Sequence, residues 1–169
     1  MGLYDQVTKG KKPRISDNAR VAITIIVAAV ITVSVVLFII APLMHHRRYV
    51  DFMNNLSKDT ALANRSGAAT VMLDGGEPRK LTQDELYTLY KKLVLSEVYE
   101  ENPEPSEGEP GIYVDYGNGS SLSLWPRQYE ERIRPGVYLV YERTKGKGIR
   151  FATYMIQYDS LAYLLQQEE

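Results

Sequence analysis

Residues Val21 to Met44 form an uncharged run of 24 residues. As an α-helix rising about 1.5 Å per residue the run would reach roughly 36 Å, longer than the hydrocarbon core of a bilayer at about 30 Å. It is rich in Val, Ile and Ala, and Thr24, Thr32 and Ser34 are its only hydroxyl residues. β-Branched residues weaken a helix in water, but in lipid every backbone N–H and C=O must be satisfied within the segment, which leaves a helix as the viable form. The run therefore predicts a single transmembrane helix at residues 21–44, with residues 1–20 as a tail and the remainder as a domain on the far side.

The charges beside the span set its expected orientation. Lys9, Lys11, Lys12, Arg14 and Arg20 precede it, and Arg47, Arg48 and Lys58 follow it. An excess of basic residues marks the cytoplasmic side. Residues 1–20 read as a basic cytoplasmic tail and residues 45–169 as outside, although Arg47 and Arg48 oppose the bias. A cleaved signal peptide has a shorter apolar region, about 7–15 residues, ending in a small-residue cleavage site. Ile40-Ala41-Pro42 is no such site, so an uncleaved signal anchor fits better. Met1-Gly2 opens the chain, but Gln6 breaks the myristoylation pattern. Within the span, Thr24, Ala28 and Thr32 recur every four residues. Small residues at that spacing let helices approach closely, which makes the stripe a candidate transmembrane packing face.

Composition excludes several functions. Residues 45–169 carry 15 basic and 19 acidic side chains, net −4, against +3 in the tail. Nucleic-acid binding needs a concentrated basic face, which this domain lacks. There is no cysteine. An outer domain without disulfides holds together by its core alone, which suits a bacterial, Gram-positive envelope. His45 and His46 are the only histidines and sit at the membrane border. Cys-His and Ser-His-Asp catalysis is thereby excluded within the domain.

Residues 45–67 read as a stalk, in which Val50, Phe52, Met53 and Leu56 continue the helix briefly before Asn64, Arg65, Ser66 and Gly67 break it. Residues 68–169 read as an extracytoplasmic α+β domain. Ala68–Leu73 is a strand closed by Asp74-Gly75-Gly76. Thr82 with Glu85 makes a capping box, and Leu81 with Leu86 a hydrophobic staple. Leu86, Leu89, Tyr90 and Leu93 then repeat at helical spacing. The segment 100–110 holds Pro103, Pro105 and Pro110 and five glutamates, which predicts a solvated loop rather than a calcium loop. Two hairpins follow. Strands 111–116 and 121–125 flank Gly117-Asn118-Gly119-Ser120, and strands 136–143 and 149–156 flank Lys145-Gly146-Lys147-Gly148. Ile112 and Val114, Leu122 and Leu124, Val137 and Leu139, and Ile149, Phe151 and Met155 mark the inward faces. A last helix begins near Asp159 and turns Leu161, Leu164 and Leu165 inward. The sum is a mostly antiparallel sheet of about five strands with two packed helices.

This order of elements, the capped helix and the repeated strands Gly111-Ile112-Tyr113-Val114-Asp115-Tyr116 and Gly136-Val137-Tyr138-Leu139-Val140-Tyr141 resemble small extracytoplasmic domains of unknown function on Gram-positive membrane proteins and lipoproteins. The resemblance covers residues 68–166 and implies no catalytic residues.

No phosphate loop, dinucleotide fingerprint, metal-ligand spacing or signal-peptidase Ser-Met-x-Pro segment occurs. Ser96 and Ser106 have no matched lysine, and the domain is read as non-catalytic, without cofactor. Tyrosine is the functional signal: the chain has 13. Tyr113, Tyr138 and Tyr154 alternate away from the core face, Arg150 and Glu142 share their side, and Trp125 ends a neighbouring strand. Tyr, Trp and Arg bury much area while keeping a polar tip, so Tyr113, Tyr138, Tyr154, Arg150 and Trp125 are the candidate contact residues. The same tyrosines also suit plain cross-strand packing. The expected function is a binding module for a membrane or envelope protein or another envelope ligand. The alternatives are an accessory subunit docked through its span, a homo-oligomer, or a membrane-anchored hydrolase.

Overall fold

The computed structural model describes residues 16–94, 98–146 and 148–166. Most of the basic tail (residues 1–15), together with Ser96 and Lys147, lies outside the described residues. The chain divides into two compact units, Met1–His45 and His46–Glu169.

In the first unit, α1 runs over Asp17–Val35. Ser16 caps it by accepting a hydrogen bond from the Ala19 amide at 3.2 Å, and Asp17 adds negative charge where the helix dipole favours it. A π-helical turn, Val36–Ile40, follows α1 and precedes α2, Ala41–Ser66. The expected uninterrupted α-helix over 21–44 is thus corrected at one turn. Pro42 supplies the reason: it has no N–H for the Phe38 carbonyl, and in α geometry its ring would strike that carbonyl, so the wider turn makes room. No residue of α1 or of the π turn is buried. The helical residues near the N-terminus include a window long and apolar enough to cross a membrane, none of it buried.

The second unit is α+β. Its strands are β1 (Thr70–Leu73), β2 (Arg79–Lys80), β3 (Glu100–Glu101), β4 (Ile112–Asp115), β5 (Ser120–Arg127), β6 (Gly136–Arg143) and β7 (Ile149–Thr153). They form one antiparallel sheet in the order β2-β1-β4-β5-β6-β7-β3. Among the described residues the sheet has seven strands rather than about five, because two-residue strands cover both edges. Glu100 and Glu101, expected in the loop, pair with Ala152 and Phe151. The prolines act only from Pro103 onward.

Register explains the core. Val71, Val114, Leu122, Tyr141 and Ile149 align across five strands, and Leu73, Ile112, Leu124, Leu139 and Phe151 align in the row two residues on. Both rows face the helices and belong to one apolar cluster. Met155 was expected to face inward but is 52% exposed, because β7 ends at Thr153 and the alternation stops there.

Among the described residues three helices rather than two cover this face. The segment expected as a stalk is part of α2, and its Tyr49, Phe52, Leu56, Asp59, Thr60 and Ala63 are buried. These positions recur at helical spacing and put one stripe of α2 into the core. Phe52 meets Tyr141 and Phe151 edge-on at centroid distances of 5.5 and 5.3 Å. The second compact unit thus begins at residue 46 and takes in the segment expected as a stalk. α3 (Gln83–Leu93) has the expected capping box: the Glu85 amide donates to Thr82 Oγ1 at 3.2 Å, and Thr82 N–H donates to Glu85 Oε2 at 2.8 Å. Arg79 pairs with Glu85 at 2.5 Å and also donates to the Leu165 carbonyl, tying β2 and α3 to α4 (Tyr158–Gln166). Burial alone would raise the Glu85 carboxyl pKa, but the bonds from Arg79 and Thr82 hold it below the ordinary value.

Candidate functional site

The strand alternation that fills the core leaves the opposite face to a second set of residues. Met72, Tyr113, Ser123, Val140 and Arg150 align in register across β1, β4, β5, β6 and β7. Trp125, Tyr138 and Ala152 align in the adjacent row. The loop after β3 rises beside this face. Pro105, Ser106, Glu109 and Pro110 wall a cavity of about 550 Å³ whose floor includes Tyr113, Trp125, Tyr138 and Arg150. The indole of Trp125 donates to the Gly108 carbonyl at 3.1 Å, which fixes the loop at its crest. Trp125 and Tyr138 lie with ring centroids 5.2 Å apart.

Four of the five candidate contact residues therefore come together around one cavity. Their roles differ. Tyr138 is only 3% exposed, so it is the floor rather than a free contact. Tyr113 and Trp125 are half-buried and Arg150 is exposed. Among the described residues the Arg150 guanidinium has no ion pair, and the side chains of Tyr113, Ser123 and Glu142 have no hydrogen bond. Unspent donors and acceptors around an aromatic floor are the composition of a ligand site, and the volume lies within the usual range for one. Tyr154 is not part of it. It follows β7, packs edge-on against Tyr129 at 5.9 Å and carries Arg132 over its ring at 4.7 Å. Tyr154 shares the strand phase but lies past the end of the ladder, where phase no longer sets direction.

Met72, Ser123 and Val140 were not singled out from the sequence, although their strand phase marks them. The loop wall could not be foreseen, since no local pattern says where a proline-rich loop will lie. Asp115, a carboxylate on the same face, accepts from the Gly117 amide at 2.8 Å and serves the turn.

A second polar cluster was missed entirely. Asp59 of α2, 2% exposed at its side chain, accepts from Arg143 Nε at 3.0 Å, from Arg143 Nη2 at 3.3 Å, from Asn118 Nδ2 at 3.0 Å and from the Tyr141 hydroxyl. Burial would raise the pKa of its carboxyl, but the bonds from Tyr141, Ser120 and Arg143 together with the guanidinium charge bring it below the ordinary value. Tyr141 and Tyr116 are pushed well above the ordinary phenol value, first by burial and then by Asp59, through its hydrogen bond with Tyr141 and its charge beside Tyr116. Every partner is intramolecular, and the cluster pins α2 to the sheet rather than facing a ligand. The signal in the sequence was an aspartate on the apolar stripe of a helix.

Thr24 and Thr32 donate their hydroxyls to the carbonyls of Arg20 and Ala28 at 3.0 and 2.9 Å. With these protons satisfied within α1, the Thr24-Ala28-Thr32 stripe offers methyl groups and a short side chain. Among the described residues no group of three or more His, Cys, Asp or Glu side chains is arranged to hold a metal ion. No protein-family model matches this chain, and neither a curated protein nor a solved structure matches it significantly.

Proposed function

We propose that this chain is a single-pass protein of a bacterial membrane whose outer α+β domain is a non-catalytic binding module for a protein partner or cell-envelope ligand, of the kind borne on Gram-positive membrane proteins. The exposed apolar helix near the N-terminus supports the anchor, and the basic residues before it support a cytoplasmic N-terminus. The observation that carries the binding reading is the gathering of Tyr113, Trp125, Tyr138 and Arg150 around one cavity with polar groups unspent.

The first experiment is cross-linking of the full-length protein in its native membranes, with what it captures identified by mass spectrometry. Tyr113→Ser and Arg150→Gln are expected to lose the captured species while circular dichroism stays unchanged. Capture that is indifferent to both substitutions overturns the assignment of this face. Tyr138→Ser is unsuited to the test because the residue is buried. Protease added to sealed, right-side-out membranes should digest residues 46–169 and spare the tail, and the reverse pattern would invert the topology.

A second reading, an accessory subunit of a larger membrane complex, is favoured by the smooth face of α1. In that case Ala28→Leu releases the protein from its complex, and retention of the mutant rules the stripe out as a docking surface.

A further inference from the structure

Tyr138 stands at the floor of the cavity with only 3% of its surface exposed, and its hydroxyl makes no hydrogen bond among the described residues. A buried phenol without a partner is costly, and most buried polar groups have one. The hydroxyl is not sealed in. Among the described residues the fully enclosed, unbonded side-chain polar atoms belong to Thr60, Asn64, Arg127 and Tyr129. The Tyr138 hydroxyl is therefore open to the cavity it lines, and what it can bond lies there.

Three charged side chains line the same space: Glu109, Glu142 and Arg150. None of them makes an ion pair or a side-chain hydrogen bond among the described residues. An anionic ligand would meet two carboxylates, and a cationic ligand would meet the guanidinium. A neutral, hydroxyl-rich ligand meets neither repulsion and uses all three groups. Each of its hydroxyls can donate to a carboxylate and accept from the guanidinium or the phenol.

The rings narrow the class further. Trp125 gives its one N–H to the carbonyl of Gly108, where the loop bends with φ +81°, so what it offers a ligand is ring surface. Tyr113, half-buried on the neighbouring strand, adds a second ring with a free hydroxyl. The face of an aromatic ring is electron-rich, and the C–H face of a pyranose is both apolar and weakly positive, so the two stack.

We propose that this cavity binds a neutral saccharide chain of the cell envelope, with one sugar face on Trp125 and Tyr113 and its hydroxyls bonded to Glu142, Arg150 and the Tyr138 phenol. The proposal rests on the binding reading above and gives that site its ligand class.

Trp125 is the only tryptophan in the chain, so selective indole fluorescence reports from the cavity itself. The full-length protein, in a detergent without a sugar headgroup, is titrated with four probes. Two are neutral, an oligomer of N-acetylglucosamine and one of glucose. Two are charged, an anionic oligogalacturonate and a cationic lysine oligomer. The expected result is a saturable change in emission with a neutral sugar. Its affinity should hold constant from about 0.01 M to about 1 M salt, over which the screening length falls from about 30 Å to about 3 Å, because a neutral ligand brings no charge to screen. Tyr138→Phe and Glu142→Gln should each weaken it about tenfold, equal to roughly 1.4 kcal/mol. Tyr138→Phe keeps the ring against Trp125 and removes a hydroxyl with no protein partner, so the urea midpoint should not fall. Glu142 is exposed, so its variant keeps the fold as well.

Saturation by a charged probe alone, an affinity that falls with salt, or no response to any probe overturns the saccharide assignment. So does neutral-sugar binding that neither substitution weakens. If sugars fail while native cross-linking still depends on Tyr113 and Arg150, only the ligand class falls. If both fail, the binding reading falls with it.

Discussion

Replacing Asp59 by alanine tests how α2 is held to the sheet. The carboxylate is the common acceptor for Arg143, Asn118 and the Tyr141 hydroxyl, and its side chain is 2% exposed. Alanine removes the acceptor and leaves three donors behind, one of them a guanidinium only 21% exposed. Removing one member of a buried ion pair typically costs about 3–5 kcal/mol, because the remaining charge stays desolvated and unpaired. With a urea m-value of about 2 kcal/mol/M for a domain of this size, the unfolding midpoint should fall by roughly 2 M. The assay is urea unfolding of the full-length protein in detergent, followed by Trp125 fluorescence. In the Asp59→Ala background, a further Arg143→Met change should cost far less than it does alone, since the stranded cation is then gone. The pH dependence has a definite sign. The folded Asp59 carboxyl lies below its ordinary value of 3.8, so the unfolded chain binds the proton more readily. The stability it supplies is fully present above about pH 4 and is lost as pH falls through the folded value. Wild type and variant should therefore converge in stability on acidification, with Glu85, also lowered from its ordinary 4.5, leaving a residual slope in both. A loss below about 1 kcal/mol at neutral pH, or a gap between the two proteins that stays constant down to pH 2, would refute the reasoning.

Phe52→Ala separates a stalk from a core helix: truncating a ring packed on Tyr141 and Phe151 should cost about 3–5 kcal/mol in the same urea assay, whereas a stalk residue would cost almost nothing. Thr82→Ala removes the N-cap of α3 and should lower stability by about 1 kcal/mol, a shift absent from the conservative Thr82→Ser. Gly117 has φ +70°, and a Cβ there would sit 2.5 Å from that of Ala68, so Gly117→Ala should destabilise by at least about 1–3 kcal/mol, read as a lowered thermal midpoint.

Much of this fold is local, and local rules reach it. The capping box at Thr82 and Glu85, the period of Leu86, Leu89 and Leu93, and the alternation in β4 to β7 each depend on residues only a few positions apart. The same alternation put Tyr113, Tyr138, Trp125 and Arg150 on the non-core side, because a strand's period of two leaves no other choice. Tyr154 shared the phase and missed the site, since phase says nothing once the ladder has ended at Thr153.

The sequence by itself thus determined the uncharged helix near the N-terminus, the α+β class, the capped helix, both hairpins and the side of the sheet on which the aromatic residues stand. Each follows from charge, periodicity or turn chemistry within one segment. Tertiary structure alone decided that α2 is core rather than stalk, because its stripe of Phe52, Leu56 and Ala63 is no more apolar than a membrane-proximal helix needs, and only the sheet beneath gives it a partner. It alone decided that Asp59 meets Arg143 across 84 positions of chain. It also decided that a loop of prolines and glutamates comes to wall the Trp125 cavity, a contact made by a single hydrogen bond between residues 17 apart that leaves no periodic mark on the sequence.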